Sequence, residues 1–566
     1  MRAARRVALA ACALAGAASP PPDPAACSAR ASCVADLNAF FAAAAANATL
    51  VLRPGDYALA AAGGPRVLLA APTQDNILVD GTGAVFNLSG LAGLLAIGAV
   101  RNFTLAGLTV DSVRAPFTLG VVVASTPNST ELAVDEAVYP LGPAALAAFP
   151  FLAGADRAVG YDVATMGPSV GGVDLAAAGA PWPLAALGGG RARLDGVGVA
   201  FAAGDALLLR HGDSAPVFSA TGARALTLRG VTVHAAPGIG VLTNGCTDVT
   251  LDGVRLARSR GRHATVTAGA THFANSRGGA LVMRGCAFEG AGDDGANPAN
   301  AYQELEPGGI AADRRSATVG AGGAAAPSVA RAGDALAFFS RRTFAALGAG
   351  VAARVAGSTI FFAAPLPAGV REWDLVQSAG NAPDSFLVDG CSFSGNRARG
   401  GLFKASNTLI RNSNFSRTAM AAVQVDPDAG CRWFEGAPVV NFTMEGCVVD
   451  HVNAQLGPRI AGSADVWVTN CVPAWSAAGA PLVHGAPYAA TPQNANVTIR
   501  GCTFRQGAGG QPAVSLIATT GVLLEDNVVE WDGAARPNAS FVGAGVRGAV
   551  LRGNVCGGGP CATAGL

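Results

Sequence analysis

The sequence has little charge, a single lysine and no long uninterrupted apolar run. Charged residues make up 14% of the 566 residues, and the net charge is +1, whereas charged residues are about a quarter of an ordinary domain. A nucleic-acid-binding surface needs a basic excess that this balance does not supply. After the N-terminus, no run reaches the roughly 20 apolar residues that span a bilayer. We therefore expect no nucleic-acid partner and no membrane span.

The N-terminal residues have the pattern of a cleaved export signal. Three arginines within residues 2–6 precede an apolar run at 7–14 and small residues at 15–18. This is the order of a secretory signal peptide, so we expect residues 1–18 to be removed and the protein to be secreted into the extracellular space. Acceptor triplets for N-glycosylation, which suit this route, begin at eight asparagines: Asn47, Asn87, Asn102, Asn128, Asn414, Asn441, Asn496 and Asn538.

The cysteines lack the CxxC pairs that bind zinc. Cys27 with Cys33, and Cys556 with Cys561, are close enough to close short terminal loops. Loss of Cys12 with the signal peptide leaves 11 of the 12 cysteines, an odd number that requires a free thiol. We expect a ladder of small buried residues instead of a metal site, and no cofactor. The cysteines preceded by glycine are Cys246, Cys286, Cys391, Cys447 and Cys502.

Short strand-like runs recur along the chain and turn at glycine or asparagine corners. They alternate apolar with polar residues and are too short for helices. Corner spacings are 23 residues from Gly230 to Gly253 and 22 from Phe393 to Phe415. One coil of a parallel β-helix needs roughly this length. The runs are 225–233, 248–256, 280–288, 386–393, 408–415, 497–504 and 522–529.

The repeat predicts an all-β fold, a right-handed parallel β-helix. Residues 35–41 have the pattern of an amphipathic helix that caps the open end of the solenoid. Residues 113–205 and 301–380 lack the coil corner, so we predict two inserted β-rich, barrel-like modules. The other predicted segments are the N-terminal cap at 19–52 and β-helix at 53–112, 206–300 and 381–566.

Asp293 and Asp294 stand in a glycine-flanked turn directly after a coil strand. A turn can point two consecutive carboxylates to one open face, which a regular strand cannot. Asp294 stands eight residues after the corner at Cys286. In the next coil, Arg397 and Arg399 stand six and eight residues after the corner at Cys391. One coil earlier, the position at the same offset of eight is Arg262. Base beside acid on adjacent rungs would perturb pKa values. A surface ion-pair ladder is one interpretation; glycoside hydrolysis, which needs two carboxyl groups, is the other.

Three stretches resemble glycoside hydrolase family 110, whose β-helical exo-α-galactosidases cleave α-1,3-linked galactose with inversion. One is 231–241, Val-Thr-Val-His-Ala-Ala-Pro-Gly-Ile-Gly-Val. Another is Ala-Thr-His-Phe at 270–273 followed by Cys-Ala-Phe-Glu-Gly-Ala-Gly-Asp-Asp-Gly-Ala-Asn at 286–297. The third is Asn-Arg-Ala-Arg-Gly at 396–400 with Trp-Phe-Glu-Gly at 433–436. Their order and spacing, and the two inserts, agree along residues 50–460.

The resemblance implies that Asp293 and Asp294 belong to the catalytic aspartates and that a galactoside glycan or polysaccharide is the partner. Trp433 is either an aromatic platform for a sugar face or a core tryptophan beneath a loop. His272 and Glu435 either bind the sugar or have structural roles, which would be a hydrogen bond within the ladder for His272 and a surface ion pair for Glu435. The resemblance places six residues around the sugar: His272, Asn297, Arg397, Arg399, Trp433 and Glu435.

The sequence departs from the family pattern at two places. A third catalytic aspartate stands two residues before Thr-His-Phe in the family, where this chain has Gly269. Pro-Ala-Asn at 298–300 replaces the family's Val-His-Gly. If a further carboxylate is required, the candidates to supply it are Glu304, Glu306 and Asp252.

Three functional hypotheses follow, together with a prediction for Lys404. The protein is an inverting exo-α-galactosidase, a glycan-binding protein without turnover, or another β-helix enzyme such as a family 28 polygalacturonase or a polysaccharide lyase. The third is disfavoured because the Asn-Thr-Asp, Gly-His-Gly and Arg-Ile-Lys elements of polygalacturonases are absent, as is a dense acidic cluster for calcium. Lys404 is the single lysine, so we predict that it contacts substrate or a catalytic carboxylate.

Overall fold

The computed structural model describes most of the chain. The described residues are 20–28, 32–60, 67–321, 324–325, 329–429, 433–455, 463–471, 474–475, 481–482, 493–507, 510–532 and 537–566. The predicted signal peptide at residues 1–18 lies outside them.

Three long sheets, here named A, B and C, wind around one axis as a parallel β-helix. Sheet A contains Thr49–Val51, Ile77–Asp80, Arg101–Ala106, Arg224–Arg229, Thr247–Asp252, Ala280–Arg284, Ser385–Asp389, Thr408–Arg411, Val440–Glu445, Asn494–Arg500, Thr519–Glu525 and Arg547–Arg552. Sheet B contains Gly55–Ala60, Ala84–Ser89, Thr109–Ser112, Thr232–Val233, Arg255–Leu256, Ala287–Glu289, Ser392–Ser394, Asn414–Ser416, Val448–Asp450, Thr503–Gln506, Val528–Trp531, Val555–Cys556 and Gly559–Pro560. Sheet C contains Val67–Ala70, Gly93–Ile97, Phe218–Thr221, Val241–Asn244, Thr271–Ala274, Ala296–Ala299, Gly401–Leu402, Val423–Val425, Val466–Val468, Val514–Ile517, Phe541–Ala544 and Thr563–Ala564.

Each predicted run is a pair of strands that bends at its corner. The run 248–256, for example, comprises Thr247–Asp252 of sheet A and Arg255–Leu256 of sheet B. Between them Gly253 has a φ of 62°, a left-handed conformation that costs glycine little and other residues more. Successive runs pair in parallel and in register, as from Leu251 to Met283. The predicted parallel stacking is confirmed.

One apolar core runs along the solenoid axis. Side chains that share an inward register position stack coil upon coil, such as Met283 on Leu251 and Val388 on Met283. Each is buried, which stabilises the fold by about 1.5–3 kcal/mol per large side chain. The helix Val34–Ala42, predicted as a cap, turns Leu37, Phe40 and Phe41 into the same core. A short helix, Pro24–Ser28, precedes it.

Two cysteine pairs close short terminal loops as the sequence predicts, and Cys471 is disulfide-bonded as well. Cys27 is bonded to Cys33, and Cys556 to Cys561. Five cysteines of the described chain are free and buried: Cys246, Cys286, Cys391, Cys447 and Cys502. Within the described ranges no cluster of His, Cys, Asp and Glu is suited to a metal ion. No helix in that part of the chain is both long and apolar enough to cross a membrane.

The first inserted module is an antiparallel sheet with its own apolar core. The strand Ala206–Arg210 pairs with two strands of this module. The predicted boundary at residue 205 is therefore wrong, because the alternating pattern of 206–210 matches a coil strand equally well. Its strands are Phe117–Thr126, Ser129–Val134, Gly154–Ala155, Arg157–Asp162, Gly167–Pro168, Asp174–Ala176, Trp182–Gly188, Arg191–Asp195 and Ala206–Arg210, with the helices Pro143–Ala148 and Pro150–Ala153.

The second inserted module closes on itself. Gln303–Ile310 pairs on one side with Leu375–Ser378 and on the other with Ser316–Ala321, which makes the sheet a barrel around a separate core. Its strands are Gln303–Ile310, Ser316–Ala321, Ala324–Ala325, Ala335–Phe339, Ala346–Ala356, Thr359–Phe362 and Leu375–Ser378. Two hairpins complete the fold: Asp428–Ala429 with Phe434–Glu435, and Ala474–Trp475 with Pro481–Leu482.

Candidate active site

The aspartate pair occupies the turn between Ala287–Glu289 of sheet B and Ala296–Ala299 of sheet C. The glycines of this turn are required by close packing of neighbouring coils. A Cβ at Gly292 would lie 2.2 Å from the carbonyl oxygen of Thr267, which no side chain tolerates. The tight turn leaves the Asp293 side chain 47% exposed and the Asp294 side chain only 11% exposed.

Two arginines of the following coil hold the aspartates. Arg397 Nη2 donates to Asp293 Oδ1 at 2.8 Å. Arg399 donates to Asp294 Oδ1 from its backbone nitrogen at 3.1 Å and from Nη1 at 3.2 Å. The predicted juxtaposition is confirmed, because the turns of these two coils are equally long. Base and acid thus meet in pairs at this corner of the solenoid.

The corresponding prediction for Arg262 is wrong. In its coil the connection between sheets B and C runs from 257 to 270, whereas the connection that carries the aspartates runs from 290 to 295. The offset that aligns two coils with equal turns therefore fails for the longer one. Arg262 is 4% exposed and its Nη2 bonds to Asp111 at 2.7 Å, so it forms a separate buried ion pair.

A polar column on sheet C begins beside the aspartate turn. His272 and Asn297 occupy the same register position on neighbouring strands. The side chain of Asn297 donates a hydrogen bond to Glu435, while its own Oδ1 is buried with no protein partner. Glu435 Oε2 accepts from Lys404 Nζ at 2.8 Å. The structure thus gathers four of the predicted residues. Lys404 contacts Glu435, which the resemblance places at the sugar, and a contact of Lys404 with substrate or a catalytic carboxylate stays a prediction.

The charges around His272 and Glu435 fix their protonation. Burial would raise the pKa of Glu435, but the charge and hydrogen bond of Lys404, aided by His272 and Asn297, lower it instead. Burial lowers the pKa of His272, and Glu435, Asp294 and Asp293 oppose this only in part. At neutral pH Glu435 is therefore ionised and His272 is neutral. His272 is close enough to both aspartates for their charges to act on its pKa.

Asp294 has the properties of an acid. Burial raises its pKa, the charge of Asp293 adds to that effect, and Arg399 opposes it. The net shift is upward, which keeps more of the carboxyl group protonated at neutral pH. Two neighbouring carboxyl groups in unlike surroundings, one buried and one exposed, are the arrangement from which acid and base roles arise.

Trp433 lies at the rim of the cluster and not in the core. Its side chain is 64% exposed, so the core interpretation is wrong. It stands two residues before Glu435, whose hairpin is fixed to the second insert by a bridge to Ala301 and by a bond from Gly436 N to Asn300 O at 2.7 Å. The exposed ring is available to a sugar face, and that role stays a prediction.

The three candidate substitutes for the missing third aspartate lie in different surroundings, and their role stays a prediction. Glu304 is fully buried in an ion pair with Arg341. Asp252 ends a strand of sheet A and faces Arg229, at a different corner of the solenoid. Glu306 belongs to the same barrel strand as Glu304, and burial raises its pKa. Gly269 lies against the aspartate turn, where an added Cβ would stand 3.1 Å from Asp294 O.

Two site residues escaped the sequence reasoning. Asp174, from the first insert, accepts from Arg397 Nη1 at 2.6 Å. Gln424, on the next coil of sheet C, accepts from Arg399 Nε. Gln424 pairs in register with Leu402 of the preceding coil, so an alignment of the coils in the sequence could have predicted its position. Asp174 carries no such signal because its module does not follow the repeat.

Sequence comparison gives two curated relatives, whereas no protein-family model matches the chain. Alpha-1,3-galactosidase A of Shewanella woodyi is 26% identical over 264 residues, which is 44% of this chain and 41% of the relative. Alpha-1,3-galactosidase B of Akkermansia muciniphila is 27% identical over 392 residues, or 64% and 46% of the two chains. The sequence similarity is to α-1,3-galactosidases. The alignments span less than half the length of either relative.

Among solved structures, the A-module of a mannuronan C-5 epimerase of Azotobacter vinelandii aligns with 89% of this chain and 92% of its own. The sequence identity is 13% and the TM-score 0.40.

We expect Lys404→Arg to weaken the site. Lys404 is 1% exposed and paired with Glu435, and a planar guanidinium is larger than the compact ammonium that this buried contact holds. A charged hydrogen bond is worth about 1.5–3 kcal/mol, so loss of the Glu435 contact should lower kcat/KM or ligand affinity roughly 10- to 100-fold. Kinetics or calorimetry measures this, with Arg229→Lys, an exposed residue of sheet A, as the control. An unchanged Lys404→Arg protein would refute a role for the ammonium group.

Proposed function

We propose that the protein is a secreted glycoside hydrolase that releases terminal α-1,3-linked galactose with inversion, in the manner of glycoside hydrolase family 110. The observation that carries the proposal is the Asp293–Asp294 turn, with one buried and one exposed carboxyl group, beside the His272, Asn297 and Glu435 cluster. Similarity to two α-1,3-galactosidases over part of their length supports the choice of sugar.

In this proposal the two aspartates divide the proton transfers. Asp294, whose pKa burial raises, protonates the glycosidic oxygen as it leaves. Asp293, half exposed and paired with Arg397, takes the proton of the attacking water. Such a division is what an inverting glycosidase requires of its two carboxyl groups. The anomeric carbon acquires the water oxygen on the face opposite to the departing sugar.

The remaining polar groups bind the sugar. Glu435 and neutral His272 accept hydrogen bonds from hydroxyl groups, and the unpartnered Oδ1 of Asn297 accepts another. Trp433 offers its exposed ring to the apolar face of galactose. Lys404 holds Glu435 in place and ionised.

Purified protein incubated with a panel of α- and β-galactosides tests the proposal. We expect galactose release only from terminal α-1,3-linked substrates, with β-galactose as the first product seen by proton NMR of the anomeric signals. Release of α-galactose first would contradict inversion. Cleavage of internal bonds in polygalacturonate with no galactose release would favour the polygalacturonase hypothesis.

Glycan binding without turnover is the second candidate, and Gly269 is the observation that favours it. If the third carboxylate is essential, Gly269→Asp should raise turnover from a low or undetectable level. The new Cβ meets Asp294 O at 3.1 Å, a contact that a shift of a few tenths of an ångström relieves. Gly98→Asp, at another coil turn where an added Cβ meets no atom within 4 Å, is the control. Galactoside binding by calorimetry with no turnover in either variant would replace the hydrolase proposal by the binding one.

A further inference from the structure

The first inserted module reaches the aspartate turn through one carboxylate. Asp174 lies at the start of the strand Asp174–Ala176 and is 223 residues from Arg397 in sequence. Its Oδ1 pairs with Arg157 at 2.7 Å, and its Oδ2 pairs with Arg397 at 2.6 Å. The Asp174 side chain is 19% exposed and that of Arg397 is 14% exposed, so water screens these pairs only weakly.

Arg397 is held at three points by three different partners. Its Nε donates to Gly292 O at 2.6 Å, its Nη1 to Asp174 and its Nη2 to Asp293 at 2.8 Å. The Gly292 and Asp293 contacts belong to the turn that Arg397 supports. Asp174 alone anchors the guanidinium to a separate element, and three contacts fix the plane of a rigid fork where two leave it free to tilt.

The charges alternate from the insert to the turn: Arg157, Asp174, Arg397, Asp293. Burial would lower the pKa of Arg397, but Asp293 and Asp174 together raise it. Burial lowers the pKa of Arg157, and the charge of Arg397 adds to this effect. Asp174 therefore also separates two partly buried guanidinium groups that would otherwise repel each other.

We propose that Asp174 is a positioning residue, which makes the first inserted module a working part of the site by fixing Arg397 and, through it, the Asp293 carboxylate. Asp174 acts through Arg397 and touches no reacting atom. The inference rests on the proposed function for its kinetic test, and on the contacts alone for its chemical test.

The kinetic test compares Asp174→Asn and Asp174→Glu with Asp156→Asn. Asp156 pairs with Arg210 at 2.7 Å in the same module and is similarly exposed, but does not contact Arg397. We expect Asp174→Asn to lower kcat roughly 10- to 100-fold with KM changed less than about threefold, because buried support of a reacting group acts at this scale. Asp174→Glu should recover part of the loss, and Asp156→Asn should behave as wild type.

Modification of Arg397 by phenylglyoxal, quantified by peptide mass spectrometry, needs no substrate. We expect the Arg397 modification rate to rise at least several-fold in Asp174→Asn and to stay at the wild-type value in Asp156→Asn. A rise with no galactosidase activity in any variant would refute the proposed function and retain the positioning contact. An unchanged rate in Asp174→Asn would overturn the proposal whatever the activity.

Discussion

Asp294→Asn is expected to reduce release of galactose from a natural α-1,3-linked disaccharide by about 10²- to 10⁴-fold, the usual contribution of a positioned proton donor. The amide keeps the shape of the side chain but carries no transferable proton. Asp294 lies in a turn and contributes little to the apolar core, so the melting temperature should change little. Steady-state kinetics on the disaccharide, with circular dichroism as the folding check, measures both quantities.

The leaving group distinguishes the two aspartates. An aryl galactoside with an acidic phenol needs little protonation as it leaves, so Asp294→Asn should lose much less activity on it than on the disaccharide. Asp293→Asn should lose activity equally on both, because activation of water does not depend on the leaving group. Asp389→Asn, at the corner between sheets A and B and paired with Arg411, is the control. The opposite pattern would exchange the roles of Asp293 and Asp294, and two fully active variants would refute the site.

The repeat could be predicted from sequence because its corners have a local cause. Gly230, Gly253 and Gly285 take φ values of 58°, 62° and 55°, which glycine adopts readily, and buried residues alternate on either side. The position of Arg397 followed from the same repeat. Arg262 did not, because the length of a connection between sheets is not marked by the corners that flank it.

Some of the glycosylation triplets also have their origin in the repeat. Asn102, Asn441 and Asn496 take positive φ near the start of their strands in sheet A. Thr104, Thr443 and Thr498 follow two residues later on the same strands. The Nδ2 atom of Asn496 donates to Asn441, and that of Asn102 donates to Asn76. Stacked asparagines at this position bond to one another as part of the fold, so these triplets carry less information about export than their number suggests.

Asp174 shows why part of the site was beyond sequence reasoning. Its contact with Arg397 joins two elements that share no period, and only their packing brings them together. The exposure of Trp433 was also beyond prediction from sequence. An aromatic residue beside a hairpin has the same local sequence pattern whether it packs inward or faces solvent. The repeat determines which residues share a face of the solenoid. The inserts determine which of those faces carry additional contacts, such as that of Asp174 with Arg397.

One of the buried carboxyl groups outside the site is Asp465. It is 1% exposed; its Oδ2 accepts from Gln506 at 2.8 Å and its Oδ1 from Gln511 at 3.2 Å. In the described part of the chain no cation is paired with it. Burial raises its pKa to about 7, although both glutamines lower it. The Oε1 atoms of Gln506 and Gln511 are buried without partners, so each can accept a hydrogen bond from the protonated Asp465 if the amide turns.

Asp465→Asn is expected to stabilise the protein at pH 8 by as much as about 4 kcal/mol, at about 1.4 kcal/mol for each unit between the unfolded pKa of 3.8 and the folded value of about 7. Between these two pH values folded Asp465 keeps a proton that the unfolded chain has released, so wild-type stability falls as pH rises through this window and is level above it. The amide introduced by the substitution carries no charge and can donate to a glutamine Oε1, so this contribution disappears. Urea unfolding from pH 3.5 to 8 should show the two proteins converging at the acidic end, diverging between about pH 4 and 7 and differing by a constant amount above pH 7. Asp526→Asn, at an exposed corner, should follow wild type. Parallel curves would mean that Asp465 is solvated or paired in the folded protein and does not keep its proton.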